Sequence, residues 1–242
     1  MLQISERSMS SLAPVGPNVL VLGASDGWSI AELCEALKRS GLRPVEVRSP
    51  DALKGVEFAE GPVVVVLDPE PLTEFERDLR QLLARRPSVL MVSIDRHLLH
   101  ELDTQSFREK AVGFRAFRGA RGRPAVELVA LADRETEALE FAFRWLSGIG
   151  FNVLLLRGSD PGPVAARVLI SCAAQAMVLV EEGAPPEAVE AAAVHLLCFG
   201  LSPISAVKAL GYARLRSMAE LAARAEGPSV DLGRLSELLR VA

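Results

Sequence analysis

Two patterns of apolar residues alternate over the first two thirds of the chain. Short continuous apolar runs, typical of strands buried on both faces, are separated by stretches in which apolar residues recur every three or four positions, as in amphipathic helices. The pattern predicts helices at 29–40, 72–85 and 135–149, and strands at 19–22, 44–48, 62–67, 88–93, 111–117, 125–131 and 152–156. This alternation predicts a doubly wound, mostly parallel sheet of the α/β class.

The pattern changes at a run of turn-forming residues at 158–163. Beyond it we predict only helices, at 164–182, 186–198, 204–210, 214–225 and 232–241. The first of these is apolar nearly all round, so it needs cover on more than one side, from the other helices or from a second copy of the chain. We therefore divide the chain into a flexible Ser- and Pro-rich arm at 1–17, the α/β domain at 18–158 and an all-α C-terminal domain at 159–242.

Composition narrows the classes of partner. A net charge of −4 and a pI of about 5.6 argue against nucleic acid as a partner. No apolar stretch approaches the length that spans a membrane, so no membrane association is predicted. Cys34, Cys172 and Cys198 lie far apart and without metal-ligand spacing. They predict free thiols in a cytoplasmic protein, and no metal site.

The turn after the first strand is the first candidate binding site. Gly23, Ser25 and Gly27 lie between a buried strand and a helix, the layout that holds a dinucleotide pyrophosphate at a helix N-terminus. Ser25 and Asp26 stand where close approach to the pyrophosphate favours glycine. The Asp26 carboxylate also competes with phosphate for the same amides. The sequence thus predicts a cofactor-binding layout that departs from its pattern at the point of contact.

Six segments carry further motifs: GASDGWSIA at 23–31, VGFRAF at 112–117, VELV at 126–129, GPVAARVL at 162–169, LVEEG at 179–183 and FGLSP at 199–203. In this order they resemble the 3-hydroxyacyl-CoA dehydrogenase family. The resemblance implies a Rossmann-like NAD(P)-binding domain followed by a helical domain that dimerises. It implies a homodimer formed through the C-terminal helices, NAD or NADP as cofactor, and an acyl-CoA or nucleotide ligand.

The family's catalytic pair is a histidine and a glutamate, and by the resemblance these positions fall on Arg115 and Glu127. In the family the imidazole accepts the substrate hydroxyl proton and the carboxylate orients it. A guanidinium stays protonated and cannot accept a proton. We therefore predict that Arg115 and Glu127 form a salt bridge in a vacated site. A surviving catalytic role for Glu127, with Arg115 stabilising an oxyanion, is the alternative.

Other family positions are also replaced. The serine and asparagine near the reacting group fall on Arg96 and Ala166. His97 is the candidate for a relocated base, and a solvated helix edge is the alternative. Arg48 stands at the end of the second strand, where an acidic residue grips the adenine ribose. An arginine at this position can bind a 2′-phosphate, which would favour NADP. The alternative is that dinucleotide binding is lost and Arg48 is simply exposed.

Three hypotheses for function follow. The first is a catalytically impaired or non-catalytic relative of the dehydrogenases that keeps their two-domain shape. The second is a functional NAD(P)-dependent 3-hydroxyacyl-CoA dehydrogenase or related oxidoreductase with a relocated base. The third is a module that binds a nucleotide or acyl-CoA without chemistry. The arginines at 115, 118, 121 and 123 are a candidate basic cluster for such an anionic ligand, and a flexible, solvated loop is the alternative.

Overall fold

A computed structural model describes most of the first 196 residues and short pieces beyond them. The described residues are 18–23, 28–58, 61–69, 72–85, 87–95, 107, 109–118, 124–130, 136–156, 164–196, 202–205, 216–217, 220–221 and 224. The predicted arm at 1–17 therefore lies outside the described residues.

Between residues 18 and 196, the described chain contains seven strands, six α-helices and one π-helical turn. The strands are β1 Asn18–Leu22, β2 Val45–Val47, β3 Val63–Leu67, β4 Ser88–Ser93, β5 Ala111–Arg118, β6 Pro124–Ala130 and β7 Asn152–Leu156. The helices are α1 Trp28–Arg39, α2 Pro50–Lys54, α3 Leu72–Arg85, α4 Glu137–Gly148, α5 Val164–Glu181 and α6 Pro186–Ala191, and the π-helical turn Ala192–Leu196 continues α6.

The strands form one sheet in the order β2-β1-β3-β4-β5-β6-β7. β1 to β5 are parallel, β6 is antiparallel to β5, and β7 is parallel to β6. The prediction of a Rossmann-like, doubly wound, mostly parallel sheet is confirmed. Strand order reverses between β1 and β3, and ligands of such sheets bind where the carboxyl ends of the strands meet this switch point.

Helices cover both faces of the sheet, which explains why the central strands are apolar throughout. All five residues of β3 are buried. α1 and α4 pack on one face, against alternate residues of β1, β3, β4, β5 and β6. α2 and α3 pack on the opposite face of β1, β3 and β4, with Phe75 and Leu79 of α3 fully buried. This division follows from the two-residue alternation of side chains along each strand.

Local capping explains two helix boundaries that periodicity does not give. α2 was not predicted, because five residues are too few to establish a helical period. Ser49 caps this helix, and its side chain accepts a hydrogen bond from the Ala52 amide at 3.3 Å. Thr136 caps α4 in the same way through the Leu139 amide at 3.2 Å, so this helix begins two residues later than predicted.

The described residues after 156 are helical or lie in the turns beside helices. In this region, Ala176 and Met177 of α5 pack against Ile204. The division at 158 and the all-α domain at 159–242 stay predictions, since few residues after 196 are described. Within the described helices, none is both long and apolar enough to cross a membrane.

Candidate functional site

Four ionisable side chains are buried where the parallel strands end: Asp68 after β3, Asp95 after β4, Arg115 in β5 and Glu127 in β6. Buried charges are rare unless they are paired or hydrogen-bonded. Carboxyl groups outnumber guanidinium groups three to one in this set. Both features make the region at the carboxyl ends of the parallel strands the candidate site.

Arg115 and Glu127 face one another across the antiparallel pair β5–β6. They are directly opposed in the strand register, and the Arg115 Nη1 and Glu127 Oε2 atoms lie 3.6 Å apart. The two side chains are only 1% and 2% exposed. The Arg115 Nε group also donates a hydrogen bond to the Ile94 carbonyl at 2.8 Å. The structure therefore brings together the two residues on which the catalytic pair of the family falls, as a buried ion pair.

The second oxygen of Glu127 is bound to the start of α5. Its Oε1 atom accepts a hydrogen bond from the Ala165 amide at 2.5 Å. Ala165 is in the first turn of that helix, where backbone amides lack intrahelical partners and a negative charge is favoured. Glu127 thus joins the sheet to α5 with one oxygen and faces Arg115 with the other.

Asp95 makes a second buried link, to the start of α1. Its Oδ2 atom accepts a hydrogen bond from the Ser29 amide at 2.9 Å, and its Oδ1 atom accepts one from the Ser29 hydroxyl. The same hydroxyl oxygen accepts a hydrogen bond from the Ala116 amide of β5 at 2.9 Å. Ser29 therefore joins α1 to the ends of β4 and β5.

Burial raises the pKa of Asp95 from 3.8 to about 6. Desolvation is the largest cause, and the nearby Asp68 carboxylate raises the pKa further. The two hydrogen bonds from Ser29 and the positive charge of Arg115 act in the opposite direction. Asp95 is consequently a carboxyl group that titrates close to neutral pH.

Sequence reasoning missed the pair of Asp95 and Ser29. Asp95 follows a buried strand at its carboxyl end, and Ser29 stands in the first turn of a helix. Strand ends of this kind are where polar functional groups collect in parallel sheets. That positional signal was available at Asp95, but the prediction placed the candidate site residues at Arg96 and His97 instead.

The remaining predicted site residues are spread apart or lie outside the described residues. Gly23 directly follows β1, has a positive φ of 80° and donates a hydrogen bond from its amide to the Val47 carbonyl at 2.9 Å. Arg48 follows β2, is exposed, and lies 3.5 Å from the Glu46 carboxylate. The other three predicted site residues, Ser25, Gly27 and His97, lie outside the described residues, as do Arg96, Arg121 and Arg123.

Metal and thiol chemistry receive no support from the described part of the chain. Among its residues, no group of three or more His, Cys, Asp or Glu side chains is placed to hold a metal ion. Cys34 and Cys172 are free thiols. Burial raises the pKa of the Cys34 thiol above its usual value, which lowers its reactivity.

Comparison with known proteins gives structural matches only. No protein-family model matches the sequence, and no curated protein matches it. FadB2 of M. tuberculosis is similar in structure, with a TM-score of 0.62 and 16% identity over 93% of this chain and 94% of that one. The (S)-3-hydroxybutyryl-CoA dehydrogenase PaaH1 of Ralstonia eutropha has a TM-score of 0.59 and 16% identity, over 94% and 93% of the two chains.

A third similar structure is the FHMPC 5-dehydrogenase, an NAD+-dependent dismutase, with a TM-score of 0.54 and 16% identity over 89% of this chain and 84% of that one. At such identities the likeness shows the fold. The chain therefore shares its fold with an (S)-3-hydroxybutyryl-CoA dehydrogenase and with an NAD+-dependent enzyme over nearly its whole length.

Proposed function

We propose that this chain is a divergent member of the 3-hydroxyacyl-CoA dehydrogenase family whose catalytic cleft has become a structural core, so that the protein does not catalyse hydride transfer. The observation that carries the proposal is the buried ion pair of Arg115 and Glu127. It lies where the resemblance places the histidine and glutamate of the family. The fold shared with PaaH1 supports the family assignment.

The ion pair lacks a group that can move a proton. A guanidinium is protonated at every working pH, so Arg115 cannot act as a general base. The Glu127 carboxylate is engaged by Arg115 and by the Ala165 amide, and both side chains of the pair are almost completely buried. A proton acceptor must reach the substrate within hydrogen-bond distance. The burial and existing contacts of Arg115 and Glu127 support the proposal that neither side chain accepts a proton from a substrate.

Two contacts of the described residues support a loss of NAD and NADP binding. The Ser29 amide, in the first turn of the helix after β1, is already bonded to Asp95. At the end of β2, Arg48 replaces the acid that grips the adenine ribose. A 2′-phosphate would have to compete with the Glu46 carboxylate for the Arg48 guanidinium. We therefore propose that neither cofactor is held for catalysis.

We expect no oxidation of NADH or NADPH above the uncatalysed rate when the purified protein is mixed with acetoacetyl-CoA. Thermal shift with NAD, NADP, acetoacetyl-CoA and coenzyme A provides the binding measurement. A ligand present at a hundredfold its Kd adds about 2.7 kcal/mol of stability, which such an assay detects easily. We expect none of the four to produce this shift.

The Glu127→Gln variant tests whether any turnover of acetoacetyl-CoA depends on the Glu127 carboxylate. Turnover by the wild type that this variant abolishes would establish a working dehydrogenase and overturn the proposal. A thermal shift with coenzyme A or a nucleotide, without oxidation of the reduced cofactor, would instead establish a non-catalytic binding module.

We further propose that the chain forms a homodimer through its C-terminal helices, in the cytoplasm. α5 carries exposed apolar side chains, with Val168 59% and Leu179 40% exposed. A second copy of the chain would remove these side chains from water, and two-fold dimers are the commonest assemblies. The free thiols Cys34 and Cys172 fit a reducing compartment.

Sedimentation at micromolar concentration is expected to give a particle of twice the 26.0 kDa of the chain. The Val168→Asp variant is expected to sediment as a monomer, because a charge at a buried interface is strongly unfavourable. Val45→Asp is the matched control, since Val45 is 47% exposed on the edge strand β2. A wild-type monomer, or the same dissociation with both variants, contradicts an interface through α5.

A further inference from the structure

The start of α5 rests on the sheet through two contacts of different kinds. Val164, the first residue of the helix, packs against a buried apolar cluster of Ile94, Val129 and Leu156. Ala165, the second residue, donates its backbone amide to the Glu127 Oε1 atom at 2.5 Å. One contact is apolar and the other is a hydrogen bond to a charged group, so substitutions can separate their effects.

The later turns of α5 contact other helical residues. Ala176 and Met177 form a separate apolar cluster with Ile204, and Val189 of α6 packs against this cluster. The contacts with the sheet and the contacts with α6 thus lie at different places along the helix. α5 therefore links the sheet, at its first turn, to the helices that follow in the chain.

Of the two contacts with the sheet, we expect the hydrogen bond to Glu127 to hold the helix more strongly. Val164 is only half-buried, so part of its side chain stays in water. The Glu127 carboxylate is a charged acceptor, and hydrogen bonds to charged groups are about twice as strong as neutral ones. It also lies at the positive end of the α5 dipole, where a negative charge is favoured.

The Glu127 side chain is held in place from its other side. The Arg115 Nη1 atom lies 3.6 Å from the Glu127 Oε2 atom, and the Arg115 Nε group donates to the Ile94 carbonyl at 2.8 Å. Ile94 is also one of the residues that Val164 contacts, so these contacts close a ring between the sheet and α5. Because the Glu127 side chain is already ordered within this ring, its bond to α5 costs little further conformational entropy.

We propose that Glu127 is a strap that fastens α5 to the sheet, so that the first turn of this helix leaves the sheet only when the Glu127–Ala165 hydrogen bond opens. The inference goes beyond the proposed function, because it concerns the movement of a helix and holds whether or not the protein turns over a substrate. It gives the Glu127 carboxylate, which the resemblance places in a catalytic pair, a conformational role.

The test is hydrogen exchange of the Ala165 amide, measured by NMR on protein with isotope-labelled alanine and valine. A first-turn amide has no intrahelical partner, and Ala165 is an exposed residue, so this amide exchanges with water once its bond to Glu127 opens. Two double variants without charge at the ion pair are compared with the wild type. Arg115→Met, Glu127→Gln keeps an acceptor for the amide, whereas Arg115→Met, Glu127→Met has none.

We expect the Ala165 amide to exchange about ten- to hundredfold faster in the double-methionine variant than in the wild type, the effect of losing a hydrogen bond to a charged group. The glutamine variant is expected to be intermediate, because a neutral acceptor remains. The Val65 amide, in the fully buried strand β3, reports the stability of the whole sheet. The acceleration at Ala165 is expected to exceed that at Val65.

Glu140→Gln is the matched control, because it removes a carboxylate of α4 that is 60% exposed. An equal acceleration with this control would reduce the effect to net charge and overturn the strap. Equal exchange of Ala165 in the two double variants, or equal acceleration at Ala165 and Val65, also overturns it. If circular dichroism shows that the double-methionine variant is unfolded, the glutamine variant decides, and unchanged exchange of Ala165 in that variant contradicts the strap.

Discussion

Replacement of Arg115 by methionine is expected to lower the free energy of unfolding by about 3–5 kcal/mol. The variant leaves the Glu127 carboxylate buried, with the Ala165 amide still bonded to it but without the opposing guanidinium. It also removes the donor to the Ile94 carbonyl. An uncompensated buried charge is among the most destabilising changes that a single substitution can make. Urea denaturation, followed by tryptophan fluorescence, measures the loss.

The double variant Arg115→Met, Glu127→Gln separates the charge from the loss of packing. It has no buried charge at this position, and the glutamine oxygen can still accept from Ala165. We expect it to recover at least half of the lost stability, since replacement of a whole buried ion pair is often close to neutral. A cost below about 1 kcal/mol for the single variant, or a double variant as unstable as the single one, would contradict a buried ion pair as the core of this site.

The second large effect is a dependence of stability on pH that comes from Asp95. Its pKa in the folded protein is about 6, against 3.8 for the free side chain. The folded protein therefore holds this proton more tightly than the unfolded chain does. The stabilisation from Asp95 is complete below about pH 4, falls as the pH rises through 6, and is lost above that value. Over this window the loss is about 3 kcal/mol.

The Asp95→Asn variant isolates this contribution, because the amide does not titrate. The difference in unfolding free energy between variant and wild type should move by about 3 kcal/mol in favour of the variant between pH 4 and pH 7. Asp51→Asn serves as the control with the opposite sign. The Lys54 ammonium lowers the pKa of Asp51, so that this carboxylate stabilises the fold at neutral pH and loses its effect as the pH falls. A flat difference for Asp95→Asn would show that Asp95 is not a strained, desolvated acid.

Much of the α/β fold was predictable because its signals are local. Continuous apolar runs predicted β1, β3 and β4 to within a residue, and the three-to-four-residue period predicted α3 with its observed bounds. The five-residue helix α2 was not predicted, and β2 is two residues shorter than the predicted strand at 44–48. The end of α6 is a further example, since the predicted α-helix turns into a π-helical turn at Ala192, a change that local propensity does not encode.

The candidate site was predictable only where the resemblance gave positions for it. The resemblance places the catalytic pair of the family on Arg115 and Glu127, and the structure opposes these two residues on neighbouring antiparallel strands. Ser29 and Asp95 are 66 residues apart and meet only because β4 ends beside the start of α1. That meeting depends on the order of strands in the sheet, which no local pattern specifies.

The three hydrogen bonds of Ser29 also bear on motion. Ser29 links the first turn of α1 to Asp95, two residues after β4, and to the backbone of β5, so movement of this turn breaks all three hydrogen bonds. Segments that admit ligands are usually those that open at low energetic cost, independently of the rest of the molecule. Here the opening of that segment would require the release of its contacts with Asp95 and with β5, which raises the free-energy cost of local opening at this end of the sheet.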